Sequence, residues 1–191
     1  MRVRLIVLAA TFIGFMLQGP GTALAQTQTA RRPDVIYVPT PQPVAEAMLQ
    51  VANVTKNDVV YDLGCGDGRI PITAARKYGA HAVCIDIDPE RIKEITANVA
   101  AAKMGHLVTV IEADLFTHDL SKATVVTLYL LPSLNIKLMP KLMKELKPGT
   151  RVVSHAFDMG SEWKPEKELD VDSRKVYFWT IPKTKPASDE R

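Results

Sequence analysis

The chain has 191 residues, 24 Lys and Arg against 21 Asp and Glu, and is 47% hydrophobic with no low-complexity tract. Those figures exclude a disordered chain and a repeat array, and leave one globular domain large enough to bury a core. The formal charge of +3 invites a nucleic-acid reading, but two of the basic residues are Arg2 and Arg4, at the very start.

The first stretch, "MRVRLIVLAATFIGFMLQGPGTALAQ", runs from that basic pair into an apolar segment, Leu5 to Leu17, then Gly-Pro and Ala23-Leu24-Ala25. A basic start, a short apolar middle and an A-x-A end describe a secretory signal peptide over residues 1–25. The apolar segment falls short of the roughly 20 residues a spanning helix needs. Export to the periplasm is the expectation. The alternative is a retained anchor that leaves the domain facing the cytoplasm, the one route by which a membrane becomes a partner. Cleavage after Ala25 removes two basic residues and no acidic one, lowering the net charge from +3 to +1. No Lys/Arg cluster remains to track a phosphate backbone, so nucleic acid is disfavoured as a partner.

Residues 26–36 read as a polar linker, and the folded domain is expected over 37–182 with a polar tail at 183–191. In "YVPTPQPVAEAMLQVANV" prolines 39, 41 and 43 exclude helix up to the last of them; Val44, Met48 and Val51 then recur at helical spacing. From Asp58 strands and helices alternate. "DVVYDL" is a strand, Arg69 to Tyr78 a helix, and "AHAVCIDI" a second strand. A helix follows with Asp88 as N-cap and Pro89 at its first position; Ile92, Ile95, Val99 and Ala102 share one face and Gly105 ends it. "LVTVIEA" and "ATVVTLYLL" are the third and fourth strands. Ser133 is expected to cap a helix that turns Leu134, Leu138, Leu142 and Leu146 inward, and "TRVVSHAF" is the fifth strand. Continuous apolar strands separated by helices indicate a parallel sheet covered on both faces, a doubly wound α/β fold. "EKELDV" and "RKVYFWTI", joined at Asp172-Ser173, close it as a hairpin.

The chemistry concentrates in "VVYDLGCGDGRI", where Gly64, Gly66 and Gly68 follow a strand and open a helix. Ligands of open parallel sheets sit beyond the carboxyl ends of the strands, so the loop is well placed. Its G-x-G-x-G spacing differs from the dinucleotide G-x-G-x-x-G, and Asp62 and Asp67 flank it. Carboxylates repel a pyrophosphate and attract a cation, by about 4 kcal/mol per pair at 4 Å and an effective dielectric near 20. Asp86 ends the second strand, where a carboxylate accepts ribose hydroxyls, and Asp114 ends the third, near a purine's amino edge. Asp67 reads equally as a helix cap. This acidic crescent fits S-adenosyl-L-methionine, with its ammonium near Asp62. Cys65 lies in the loop and Cys84 in a buried strand; two separate thiols are expected, although an oxidising compartment would let them pair. The four histidines show no metal-ligand spacing.

The segments "VYDLGCGDGRI", "IDIDPERI", "EADLF", "TLYLLPSLN" and "LKPGTRVVSH" resemble class I, seven-strand S-adenosylmethionine-dependent methyltransferases. "YVPTP" and "LYLLPSLN" make the chain similar to the small archaeal and mitochondrial protein-lysine methyltransferases within that class. The resemblance implies strand order 3-2-1-4-5-7-6 with strand seven antiparallel. It also implies a cofactor site over Asp62, Gly64, Cys65, Gly66, Asp67, Gly68, Asp86 and Asp114, and a protein lysine as partner. A lysine loses its proton at a cost of roughly 4–5 kcal/mol at pH 7, and an apolar slot lowers that cost without a dedicated base. Leu130, Leu131 and Pro132 are expected to line such a slot, with Tyr37 and Pro39 folded over it; Tyr37, Leu131 and Pro132 are the catalytic candidates. His155 reads either as a base or as an interior histidine. Two other functions fit the same fold: a small-molecule N- or O-methyltransferase, and an exported non-catalytic binding module.

Overall fold

The computed structural model describes residues 36–183. The signal peptide, nearly all of the linker and the tail after 183 lie outside the described residues. In chain order the elements are α1 (Gln42–Val51), β1 (Val59–Leu63), α2 (Arg69–Tyr78), β2 (His81–Asp86), α3 (Pro89–Ala101) and β3 (Val108–Glu112). β4 (Val125–Leu128), α4 (Pro132–Glu145), β5 (Arg151–His155), β6 (Lys167–Val171) and β7 (Arg174–Thr180) complete the domain.

The seven strands form one sheet in the order β3-β2-β1-β4-β5-β7-β6. The first five lie parallel; β7 pairs antiparallel with β5 and with β6. Both the order and the closing hairpin agree with the sequence expectation. Asp172 and Ser173 turn that hairpin at φ 50° and 62°.

Two apolar layers sandwich the sheet. On one face α1, α2 and α3 bring Val44, Met48, Ile70, Ala74, Ile95 and Val99 against Val60, Ala82, Cys84 and Val153. On the other, α4 lays Leu138, Leu142 and Leu146 over Leu63, Ile85, Leu128 and Trp179. Alternate residues of β1 serve opposite layers, as the two-residue repeat of a strand requires. Removing one of these buried leucines costs about 2–5 kcal/mol. Trp179 is fully buried, and its Nε1 donates to the Trp163 carbonyl at 2.9 Å.

Three helix boundaries differ from the sequence reading. α1 begins at Gln42, ahead of Pro43, because first-turn N–H groups have no intrahelical partner for a proline to remove. α3 stops at Ala101 rather than at Gly105: Lys103 takes the left-handed turn itself, at φ 58°. α4 starts at Pro132 with Leu131 in the N-cap position, so Ser133 lies in the first turn and is not the cap.

Cys65 and Cys84 form a disulfide, with Cα atoms 5.4 Å apart. The expectation of two separate thiols is thereby corrected. Parallel pairing of β1 with β2 aligns Asp62 with Cys84 and Leu63 with Ile85, which brings the loop after β1 back beside β2.

Candidate functional site

A cavity of about 260 Å³ opens at the carboxyl ends of β1, β2, β3 and β4. Asp62, Gly64, Cys65, Asp67, Asp86 and Asp114 line its acidic side; Phe116, Tyr129, Leu130 and Leu134 form an apolar wall, and the strap Ile36–Val38 closes over it.

The loop after β1 is fixed by main chain. The Gly64 and Cys65 amides donate to the Ile85 carbonyl at 2.8 and 3.2 Å, and the Gly68 amide donates to the Cys65 carbonyl at 2.9 Å. Gly64, Gly66 and Gly68 have φ of 78°, 56° and 78°, a region that side chains strongly disfavour. Space is the second constraint. A Cβ on Gly66 would overlap the Tyr37 ring, and one on Gly68 would overlap Ile95. The close approach that the glycine spacing demands is therefore made, at these two positions, by the protein's own side chains. Neither glycine lines the cavity, whereas Gly64 does.

The acids differ sharply in how they are satisfied. Asp62 is buried, and Thr127 Oγ1 donates to it at 2.7 Å. Burial, with the nearby Asp86 and Asp67 charges, raises its pKa to about 7 against the single Thr127 bond. Asp86 accepts from the Gly66 amide through Oδ2 and from the Asp88 amide through Oδ1, both at 3.0 Å. Asp114 Oδ1 accepts from the Phe116 amide at 2.8 Å. Burial alone would raise Asp67, but Arg69 bonds to both its oxygens, one at 2.5 Å, and brings it below the usual carboxylate range. Asp88 caps α3 by accepting from the Glu90 amide, as expected.

A cavity in which burial, added to by the Asp86 and Asp67 charges, makes the ionised form of Asp62 costly suits a cationic guest, because positive charge there favours the carboxylate. The donor set therefore fits S-adenosylmethionine and opposes a diphosphate.

Tyr37 covers the glycine loop. Its phenol hydrogen-bonds to Asp67, and burial together with that carboxylate holds it above the ordinary tyrosine range. Arg91 lies 4.8 Å over its ring. Behind it, Thr40 ties the strap down: its carbonyl accepts from Arg69 at 2.6 Å, and its Oγ1 lies 3.2 Å from His155 Nδ1. His155 is buried and packs against Tyr129, a residue of the cavity wall, with ring centroids 3.9 Å apart and planes tilted by 37°. Burial, helped by Arg174, pushes its pKa down to about 4, so it is a neutral interior histidine one layer behind the cavity.

Leu130 lines the cavity as expected, but Leu131 and Pro132 lie outside the lining, both exposed where α4 begins, and Tyr129 and Leu134 complete the wall. Sequence reasoning missed Thr127, Tyr129, Arg69 and Arg91. Only Arg69 left a signal, two residues beyond Asp67 at a helix start; the others depend on strand register and helix rotation.

Residues 62–167 match the ANTKMT methyltransferase domain. A protein-lysine N-methyltransferase of Saccharolobus islandicus is 46% identical over 154 residues, covering 78% of this chain and 95% of that protein. A ribosomal protein L11 methyltransferase of Geobacillus thermodenitrificans is 34% identical, over 53% of this chain and 32% of its own length. A solved structure described as an RNA methyltransferase of Salinibacter ruber, in complex with S-adenosyl-L-homocysteine, superposes with a TM-score of 0.76 at 52% identity, over 81% of this chain and all of that one. With this cavity, this strand order and these relatives, the chain belongs to the ANTKMT methyltransferase family and is an S-adenosylmethionine-dependent methyltransferase.

Proposed function

We propose that the protein N-methylates lysine side chains of other proteins. The observation that carries this reading is the pairing of Asp62, Asp86 and Asp114, at the ends of three successive strands, with the apolar wall of Phe116, Tyr129, Leu130 and Leu134 in one cavity. The kinship to a protein-lysine N-methyltransferase over 95% of that relative's length supports it.

S-adenosylmethionine, when bound, supplies a methyl group activated on a sulfonium. Asp62 would hold its ammonium, Asp86 its ribose hydroxyls and Asp114 the amino edge of its adenine, with Gly64 and Cys65 supplying the loop's main chain. Gly66, Asp67 and Gly68 act less directly: Gly66 admits Tyr37, Gly68 admits Ile95, and Asp67 anchors Arg69 and Tyr37. The apolar wall desolvates the lysine ammonium, which favours its neutral, nucleophilic form. Tyr37 and the strap exclude water, and holding the amine in line lowers the barrier by up to roughly 7–11 kcal/mol. No side chain of the wall is required as a base. Asp86→Ala should weaken S-adenosylhomocysteine binding at least tenfold by calorimetry, and unchanged affinity removes Asp86 from the site.

The Salinibacter structure's description favours a second reading, methylation of RNA. Its planar amino groups are served elsewhere by an Asp-Pro-Pro-Tyr type of signature, and this chain carries Leu130-Leu131-Pro132-Ser133 at that place. Incubation of the full chain with methyl-labelled S-adenosylmethionine, total protein and total RNA decides between them. Label in acid-hydrolysed lysine supports the proposal; label only in nucleosides, lipids or free amines overturns it.

We further propose that residues 1–25 direct export. The Cys65–Cys84 disulfide supports this, since such bonds persist in oxidising compartments. The mass of the native protein checks it. A chain beginning at Gln26 in the extracytoplasmic fraction is expected, and an intact N-terminus in the membrane fraction favours the inward-facing anchor.

A further inference from the structure

The disulfide lies at an unusual place for a staple. Cys65 sits inside the glycine loop and on the cavity wall; Cys84 is fully buried on β2, two residues before Asp86. The bond therefore ties the cofactor loop to the strand that presents Asp86. Its 5.4 Å Cα separation falls within the range a disulfide spans.

Without the bond, the loop is held to β2 by three contacts. Two are the Gly64 and Cys65 amides on the Ile85 carbonyl, and the third is the Gly66 amide on Asp86 at 3.0 Å. The third uses the carboxylate that also faces the cavity, so loop order and cofactor recognition share one group. Three glycines in five residues give the segment more freedom to lose on ordering than other residues would.

We propose that Cys65–Cys84 is a covalent clamp that presets the cofactor loop, making affinity for S-adenosylmethionine depend on the oxidation state of this pair. With the bond intact, the loop is ordered before the cofactor arrives. With both thiols free, part of the binding energy is consumed in ordering it, and affinity falls. A dithiol such as dithiothreitol performs the reduction. Its thiolate attacks Cys65 Sγ from the cavity side, Cys84 leaves as a thiol, and the second thiol of the reagent closes a ring. Two electrons and two protons end on Cys65 and Cys84, and the reagent departs as a cyclic disulfide. Oxidised glutathione reverses the exchange and leaves as two molecules of glutathione.

Linkage makes the effect reciprocal: a cofactor that binds the oxidised form tenfold more tightly makes the disulfide tenfold harder to reduce. For this two-electron couple that lowers the midpoint potential by about 30 mV.

The inference rests on the cofactor placement proposed above, and the experiment separates the two. The full chain is oxidised with glutathione disulfide, and bond formation is read by intact mass as the loss of two hydrogen atoms. S-adenosylhomocysteine is then titrated by calorimetry into oxidised protein, dithiothreitol-reduced protein and Cys84→Ser, each well below its melting temperature. Reduced protein and Cys84→Ser should bind about tenfold more weakly, and Cys84→Ser should no longer respond to reductant. A staple that only stabilises the fold would lower the melting temperature and leave affinity unchanged; that result overturns the clamp, as does a mass that retains two thiols after oxidation. If Cys84→Ser does not fold, the wild-type midpoint with and without S-adenosylhomocysteine decides, and no shift overturns the proposal. Asp62→Asn, whose side chain is bonded to Thr127 on β4 rather than to a loop amide, tests the placement alone: loss of affinity there with no redox effect in the wild type sinks the clamp and leaves the site standing.

Discussion

Asp58 and Asp62 bracket the same strand, four residues apart, and are buried to nearly the same degree, at 5% and 4% exposure. Burial would raise both. At the amino end of β1, Thr124 Oγ1 at 2.7 Å, the Thr55 amide at 2.8 Å and the Arg151 guanidinium together outweigh it, and Asp58 falls below the usual range. Arg151 also donates to the Ala52 carbonyl at 2.8 Å, closing that end of the sheet against α1. At the carboxyl end Asp62 has one hydroxyl donor and two acidic neighbours, and rises to about 7. One end is a finished ion-pair network. The other holds Asp62, whose single hydroxyl donor does not offset its burial, and it is the end we propose receives the cofactor. The two acids expose similar surface, but Asp62 lies deeper in the protein, so its desolvation is larger while its hydrogen-bond compensation is smaller.

The contrast is broken most severely at the structural end. Arg151→Met leaves Asp58 buried without its cation and should cost about 3 kcal/mol or more of unfolding free energy, read by urea titration, with S-adenosylhomocysteine affinity unaltered.

At the functional end Asp62→Asn should do the reverse. Cofactor affinity falls at least tenfold, since one charge contact is worth up to about 4 kcal/mol at short range, while the ligand-free fold becomes more stable at pH 8. The sign follows from linkage. A carboxyl raised in the folded state favours unfolding as pH climbs from about 4 to about 7, and the asparagine removes that penalty. The gap between variant and wild-type melting temperatures should therefore close as pH is lowered to 4. Asp58, lowered in the folded state, contributes stability that is lost as pH falls through the acid range, so the two ends of β1 pull in opposite directions.

A finer test counts protons. With its pKa raised to about 7, Asp62 is mostly protonated at pH 6, and the ligand's ammonium favours its ionised form. Calorimetry in buffers of different ionisation enthalpy should register release of up to one proton per S-adenosylhomocysteine bound, and affinity should rise with pH until about 7. Asp62→Asn should abolish both.

The smallest effect concerns the strap. Tyr37→Leu loses the Arg91 contact, worth about 0.5–1 kcal/mol, and the KM for S-adenosylmethionine should rise about two- to fivefold. A change confined to the acceptor KM would instead assign Tyr37 to the acceptor side.

The sequence alone was enough for the strand and helix order, the acidic crescent and the family resemblance. These follow from local chemistry: apolar runs, a proline and an aspartate at a helix start, and glycines where a side chain is excluded. Most of the wall beyond Leu130, and the disulfide, are not legible. "LYLLPS" does not reveal that Tyr129 joins Leu130 in lining the cavity while Leu131 and Pro132 stand outside it, because that depends on where β4 ends and α4 begins. Nor does it reveal that Tyr37 and Ile95, 58 residues apart, fill the space over Gly66 and Gly68. The cysteine pairing is not readable from either thiol's own element, because strand register sets Asp62 opposite Cys84 and folds the loop back beside it. Patterns within an element are written in adjacent residues. Contacts between elements depend on register and packing that no single segment encodes, and in this protein those contacts give Asp58 a guanidinium and two further donors but Asp62 one hydroxyl.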